Sequence, residues 1–186
     1  MMEELLQIDK ELFLFLNNLG NENWDWFWVF MTGKYTQIPV YAVLLYLIYR
    51  NLGWKGTVIT VVLVAGLITC TDQLANVFKD HFERLRPCNE DFEQPIRLLV
   101  GCGKYGFFSA HAASSFALAF YIGLILKPYH RFIVITLLFW AALVSYSRIY
   151  VGVHYPGDTL MGMFMGSMIG VVFYKLQHWA VYKWGQ

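Results

Sequence analysis

In the stretch SRIYVGVHYPGDTLMG, four residues have the types and spacing of a group-transfer site: Ser147, Arg148, His154 and Asp158. Asp158 follows His154 by four positions, just ahead of a long apolar run. A carboxylate one helical turn beyond an imidazole can accept the hydrogen bond from its Nδ1. That fixes the tautomer and leaves Nε2 with its lone pair outward. Arg148 adds a rigid fork of donors suited to a phosphate. An oriented imidazole, an anion clamp and an adjoining membrane segment suggest phosphoryl chemistry at a bilayer.

Two other segments concentrate polar groups at the ends of apolar runs. The first is KDHFERLRP, residues 79–87. Lys79 and Arg86 are seven apart and on a helix would share a face. Pro87 restricts Arg86 to extended backbone and is expected to end the helix there. Taken alone, the segment reads as cations snorkelling to an interface. The second is FFSAHAASSF, residues 107–116. It places Ser109, Ala110 and His111 at a helix start, where free backbone N–H groups bind anions. Ser109 could cap the helix and do nothing more. His111 is harder to explain structurally, because a helix N-terminus disfavours a cation. Ionisable residues entering a membrane bundle are functional candidates, and three clusters on one side of the membrane point to one site. Asp72 and Asn76 fall on the helical face of Lys79; Asp72 reads either as a partner for Lys79 or as an interfacial polar residue.

The elements that must hold these residues are apolar. The chain has 186 residues, 58% hydrophobic and only 15% charged, with a mean hydropathy of +0.45. About 25% charge is usual for a soluble domain, so a water-exposed surface cannot be built. The net charge of +1 argues against a nucleic-acid partner. One domain is expected over residues 1–186. No cleavable signal peptide is read at the N-terminus, so the first apolar spans are expected to target the chain.

Residues 3–19 carry Ile8, Leu12, Phe15, Leu16 and Leu19 at helical spacing, opposite Glu4, Glu11 and Asn18. They predict an amphipathic helix lying in the interface over residues 1–20. Residues 24–31 are too short to cross alone and read as a half-helix or part of a tilted first span. Apolar runs follow at 38–49, 54–78, 112–126, 132–146 and 159–174. The fold class is all-α, a polytopic membrane bundle of five or six transmembrane helices plus the interfacial helix. Trp24, Trp26, Trp28, Trp54, Trp179 and Trp184 sit at segment ends, as in an interfacial belt. Gly162, Gly166 and Gly170 recur every four residues on the face that begins at His154 and Asp158, which predicts close helix packing.

Alternation of spans puts Lys34, the loop at 79–108 and the 147–158 stretch on one side. Arg50, Lys55, Lys127, Arg131, Lys175 and Lys183 fall on the other, which the positive-inside rule makes cytoplasmic. The site side is then extracytoplasmic. Cys88 and Cys102 lie in the 79–108 loop, where either a disulfide or two thiols fit the sequence. Cys70 is expected to pack within a span.

Together the clusters read K-x6-RP, then S-x-H at a helix start, then SR-x5-H-x3-D. This pattern resembles the type 2 phosphatidic acid phosphatase (PAP2) superfamily over roughly residues 40–175. Where the family has PSGH, this chain has Phe108 for the proline and Ala110 for the glycine. The resemblance implies an integral-membrane hydrolase that uses no metal or other cofactor, and the sequence offers no carboxylate cluster for magnesium. His154 would be the nucleophile, forming a phosphohistidine, with Asp158 orienting it. His111 would be the general acid and then the base. Lys79, Arg86 and Arg148 would hold the phosphate, with Ser109 and the N–H groups near Ala110 completing the cradle. Undecaprenyl pyrophosphate is the expected substrate by family analogy. The alternatives are phosphatidylglycerol phosphate, phosphatidic acid and a lipid A phosphate, and outside catalysis a lipid-phosphate binder or transporter. Vanadate-dependent haloperoxidases resemble the same site, but the apolar spans argue against one. The expected location is the inner membrane, with the site on its extracytoplasmic face.

Overall fold

In a computed structural model the apolar runs become helices, and no strand occurs among the described residues, 2–33 and 35–184. Lys34, and the side chains of Lys183 and Trp184, which the sequence reading uses, lie outside the described residues. The helices are α1 (Met2–Asn18), α2 (Glu22–Thr32), α3 (Ile38–Phe82), α4 (Ala110–Leu126), α5 (Ile133–Tyr150) and α6 (Pro156–Trp184). Three stretches are long and apolar enough to cross a bilayer: Tyr35–Phe82, Ile133–Tyr150 and Pro156–Val181. Ala110–Leu126 is a shorter apolar helix.

α3 has 45 residues. Straight, it would run about 67 Å, against roughly 30 Å of hydrocarbon. Gly53 resolves the conflict with φ 67 and ψ −174, a backbone that side-chain-bearing residues rarely adopt. The chain folds back there into two arms, 38–52 and 54–82. Tyr41 and Ile48 of one arm share a groove with Thr60 and Ile68 of the other. Counting the arms separately, there are five apolar helical segments for the expected five or six spans. At the far end, Nδ2 of Asn51 lies 3.4 Å from Nε2 of His130, tying the hairpin turn to the α4–α5 turn.

α4 is the central helix, with most of its residues buried. It packs along α6 through the glycine stripe. A Cβ added to Gly162, Gly166 or Gly170 would run into the carbonyl oxygen of Ser109, Ala113 or Ala117 respectively. Both series rise in steps of four, so the helices run parallel and both begin at the same end of the bundle. Inside the bundle, Gln177 donates to Thr60 (2.9 Å) and accepts from the hydroxyl of Tyr121 (2.9 Å). Such pairs join helices where no water competes.

α1 exposes Leu5, Ile8, Leu12 and Phe15, with Leu19 just beyond its end, the apolar stripe of an interfacial helix. Its other side docks on the bundle through buried Phe13 and Asn17. The Asn17 amide donates to the carbonyls of Arg97, Ile149 and Tyr150. α2 is a helix of its own and does not join a span. Trp24, Trp26, Trp54 and Trp179 are exposed as a belt requires. Trp28 departs from that expectation: its ring stacks on Tyr150 and meets Tyr146 edge-on, so it fastens α2 to α5. Cys70, expected to pack inside, is exposed, because its side of the helix faces away from the bundle.

Candidate active site

The site forms where α3, α4, α5 and α6 end or begin. α3 stops at Phe82, where Glu83 takes a left-handed conformation (φ 45) and closes the helix onto the carbonyl of Lys79. The expected loop at 79–108 therefore starts at Glu83, and Lys79 belongs to the last helical turn. Arg86 is extended (φ −77, ψ 157), as a residue before proline should be. The two cations thus do not share one helical face, as their spacing suggests; the chain turns between them and they reach the same cavity from different elements. Residues 84–86 run antiparallel to 104–106, with N–H of Arg86 donating to the carbonyl of Lys104 and N–H of Gly106 to that of Arg84. Nε of Arg86 also donates to the carbonyl of Tyr105 at 2.8 Å. Cys88 and Cys102 are joined in a disulfide across this loop.

These ends surround a cavity of about 470 Å³. Lys79, Arg86, Ala110, His111, Arg148 and His154 all lie on its wall. Ser109 and Asp158 do not, and both are fully buried behind it. The hydroxyl of Ser109 accepts from N–H of Ala112 at 3.4 Å, which makes it the N-cap of α4. Asp72 and Asn76 join Lys79 on the wall, with Nζ of Lys79 3.5 Å from Oδ1 of Asn76.

Arg148 is 7% exposed. Its guanidinium donates to the hydroxyl of Thr32 on α2, and its buried Nε has no hydrogen-bond partner. A buried donor left over beside a cavity suits an anionic oxygen. His154 is 2% exposed, with Nδ1 3.3 Å from Oδ2 of Asp158. Burial pushes its pKa down to about 4; Asp158 pulls it up, while Arg86 and Arg148 add to the lowering. The imidazole is therefore neutral at neutral pH, and its Nε2 lone pair is available. Gly106 touches this pair. A Cβ there would come 3.1 Å from Oδ2 of Asp158 and 3.0 Å from Cγ of Arg86.

Two charged residues that the sequence reading missed reach the same pair. Arg84 donates to Oδ1 of Asp158 at 2.9 Å and to Oδ2 of Asp9 at 2.7 Å. A signal for Arg84 was present: in extended backbone, residues two apart share a side, so Arg84 belongs with Arg86. Asp9 had none, since α1 gives no pattern that points 75 residues ahead.

Residues 54–182 match the model of the PAP2 superfamily. The chain belongs to that superfamily. It is 40% identical over 185 residues to the lipid A 4'-phosphatase of Bacteroides thetaiotaomicron, covering 96% of this chain and 80% of that protein. It is 30% identical over 181 residues to the undecaprenyl-diphosphatase of Sulfolobus acidocaldarius, covering 94% and 81%. The fold matches the crystal structure of a transmembrane PAP2-type phosphatidylglycerolphosphate phosphatase from Bacillus subtilis with a TM-score of 0.75. That match has 19% identity and covers 94% of this chain and 87% of the other. The PAP2 bundle and the PAP2 motifs thus coincide in one chain, a hydrolase of the membrane lipid phosphatase class.

Proposed function

We propose that this PAP2 domain, a single unit over residues 1–186, dephosphorylates lipid A through a phosphohistidine on His154, without a metal. The observation that carries the mechanism is one cavity ringed by Lys79, Arg86 and Arg148 with both His154 and His111 on its wall. Nε2 of His154 attacks phosphorus while Asp158 accepts the hydrogen bond from Nδ1. The phosphorus–oxygen bond to the lipid breaks, and His111 gives that oxygen its proton. Water then attacks the phosphohistidine and loses a proton to His111. The nitrogen–phosphorus bond breaks and inorganic phosphate leaves. The three cations meet the charge that grows on the equatorial oxygens. The N–H groups at the start of α4, by Ala110 and His111, add helix-terminus donors. The hydroxyl of Ser109, occupied as a cap behind the wall, supports the cradle by fixing that helix start.

The substrate reading moves away from undecaprenyl pyrophosphate. The relative named for lipid A is the more similar by ten points of identity, 40% against 30%. Two features of the cavity support a lipid with a polar head group. Asp72 and Asn76 bring a carboxylate and an amide to its wall, suited to hydroxyl groups. An apolar groove of about 190 Å³ between the α3 arms and α4 shares Tyr41, Ile68 and Leu118 with it, suited to an acyl chain. The location that fits best is the inner membrane with the cavity extracytoplasmic, where the Cys88–Cys102 disulfide can form.

The test is phosphate release by purified protein in detergent with chelator present. Lipid A, undecaprenyl pyrophosphate and phosphatidylglycerol phosphate are compared at equal mole fraction. Lipid A is expected to turn over fastest, and His154→Ala to abolish release. Release that survives in His154→Ala sinks the mechanism; a faster undecaprenyl pyrophosphate sinks the substrate assignment alone.

A further inference from the structure

The carboxylate that orients His154 is itself held by a chain of charges reaching α1. Oδ2 of Asp158 accepts from Nδ1 of His154 (3.3 Å) and from N–H of Tyr155 (3.1 Å). Its Oδ1 accepts from one arm of the Arg84 guanidinium at 2.9 Å. The other arm donates to Oδ2 of Asp9 at 2.7 Å, and Oδ1 of Asp9 accepts from N–H of Gly157 at 2.7 Å. Three segments distant in sequence meet at one planar fork.

Each link has a physical reason. Asp158 is fully buried, and a buried carboxylate needs a positive partner. His154 is neutral there, so the partner is Arg84. A guanidinium bridging two carboxylates fixes direction as well as charge. Its carbon also lies 4.2 Å from the centre of the Tyr155 ring, which holds the plane. Asp9 completes the start of α6. Tyr155 precedes the helix and Gly157 is its second residue, so both N–H groups lack helical acceptors. Asp158 takes the first and Asp9 the second, in the manner of a capping box split between two helices. The approach requires glycine at 157, where an added Cβ would stand 2.7 Å from Oδ2 of Asp9. α1 brings Asp9 to this point with Phe13 and Asn17 buried on the same face, while its opposite stripe stays exposed for lipid.

We propose that Asp9 and Arg84 are positioning residues for His154, so that the interfacial helix α1 forms part of the alignment of the nucleophile. This rests on His154 being the nucleophile, as proposed above. Arg84 sets the direction of Asp158 and offsets part of its charge. Asp9 holds Arg84 and the first turn of α6 in place. The charged groups that face the pair are Arg84 from the loop, Arg86 from the paired segment, Arg148 from α5, and Lys79 and His111 across the cavity.

The test uses lipid A in detergent micelles and full kinetic and pH profiles. Arg84→Gln should lower kcat by about 10- to 100-fold while KM stays within about threefold. Without the cation, Asp158 stabilises a protonated imidazole more strongly, so the acid limb of kcat should move up by about half a pH unit or more. Arg84→Lys should restore the acid limb but only part of kcat, since it keeps the charge and loses the fork. Asp9→Asn should lower kcat, and the double variant should match Arg84→Gln within about twofold, because both act through one chain. Asn17→Ala, which loosens the docking of α1, should lower the thermal midpoint and should lower kcat no further in an Asp9→Asn background. Wild-type kcat and acid limb in Arg84→Gln, or in Asp9→Asn should Arg84→Gln not fold, would overturn the inference. If His154→Ala retains activity, it is the mechanism that fails, and the two failures are distinguishable.

Discussion

In the proposed mechanism, His154 combines a catalytic requirement with a cost in stability. Its neutral imidazole depends on burial, which holds the pKa at about 4 although Asp158 pulls the other way. In the unfolded chain the same ring takes up a proton near 6.5. Between these values the unfolded state binds more protons than the folded state, so stability falls as pH drops. The contribution is fully present above about 6.5 and is lost progressively toward about 4. The thermal midpoint in detergent should therefore decline across that window, and His154→Gln, which cannot titrate, should show a shallower decline. Parallel slopes in the two proteins would mean that the folded ring titrates as it does in the unfolded chain. The residues of the proposed site could be picked out because they are local. His154 and Asp158 are four apart, Ser109 and His111 two apart, and Arg86 precedes its proline. Arg84 and Asp9 were not, because a contact between residues 9, 84 and 158 is a product of the fold.

At the scale of helices, the glycine stripe does two jobs. It lets α6 lie against α4, and in doing so sets the start of α6, with Asp158, beside the start of α4, with His111. The stripe could be read from sequence, since small residues recur at a helical period and lipid gives helices no hydrophobic reason to associate. The break at Gly53 could be read too, because polar and basic residues interrupt the apolar run there. The end of α3 could not. Pro87 marks the last place a helix could stop, whereas Glu83 actually closes it with a left-handed residue that leaves no sequence signature. Trp28 was misread for a related reason: a belt tryptophan and a packed one look alike in sequence. A side chain at Gly166 would meet the carbonyl of Ala113 directly, and backbone cannot step aside as a side chain can. Gly166→Val should cost about 1–3 kcal/mol and reduce kcat as well, since the helix starts move apart. Phe164→Ala, whose side chain is exposed, is the comparison and should leave both nearly unchanged. Thermal inactivation alongside phosphate release would check this, and a Gly166→Val protein as stable as wild type would refute the packing account.

Across the whole molecule, the five apolar segments sort the polar residues into two unlike sets. Arg50, Lys55, Lys127, Arg131 and Lys175 gather at the end where the α3 hairpin and the α4–α5 turn meet. The site end has more, seven among the described residues with Lys104 included, which blurs a simple count of charges. There, however, all but the exposed Lys104 are committed. Arg84 pairs with Asp9 and Asp158, Arg97 with Asp25 and Lys10 with Glu90, while Lys79, Arg86 and Arg148 face the cavity. In the orientation proposed above, the far end is the cytoplasmic one. The Cys88–Cys102 bond agrees, because it closes a loop at the site end and persists in an oxidising compartment. The orientation can be read with single cysteines introduced into a Cys70→Ala background, leaving the disulfide intact. Gln94→Cys, exposed in the site-side loop, should react with a membrane-impermeant maleimide on intact spheroplasts. Lys127→Cys, exposed at the opposite end, should react only after the membrane is opened. The reverse pattern would place the cavity in the cytoplasm, where the disulfide would not persist, and the lipid head group would then have to be presented from the inner leaflet.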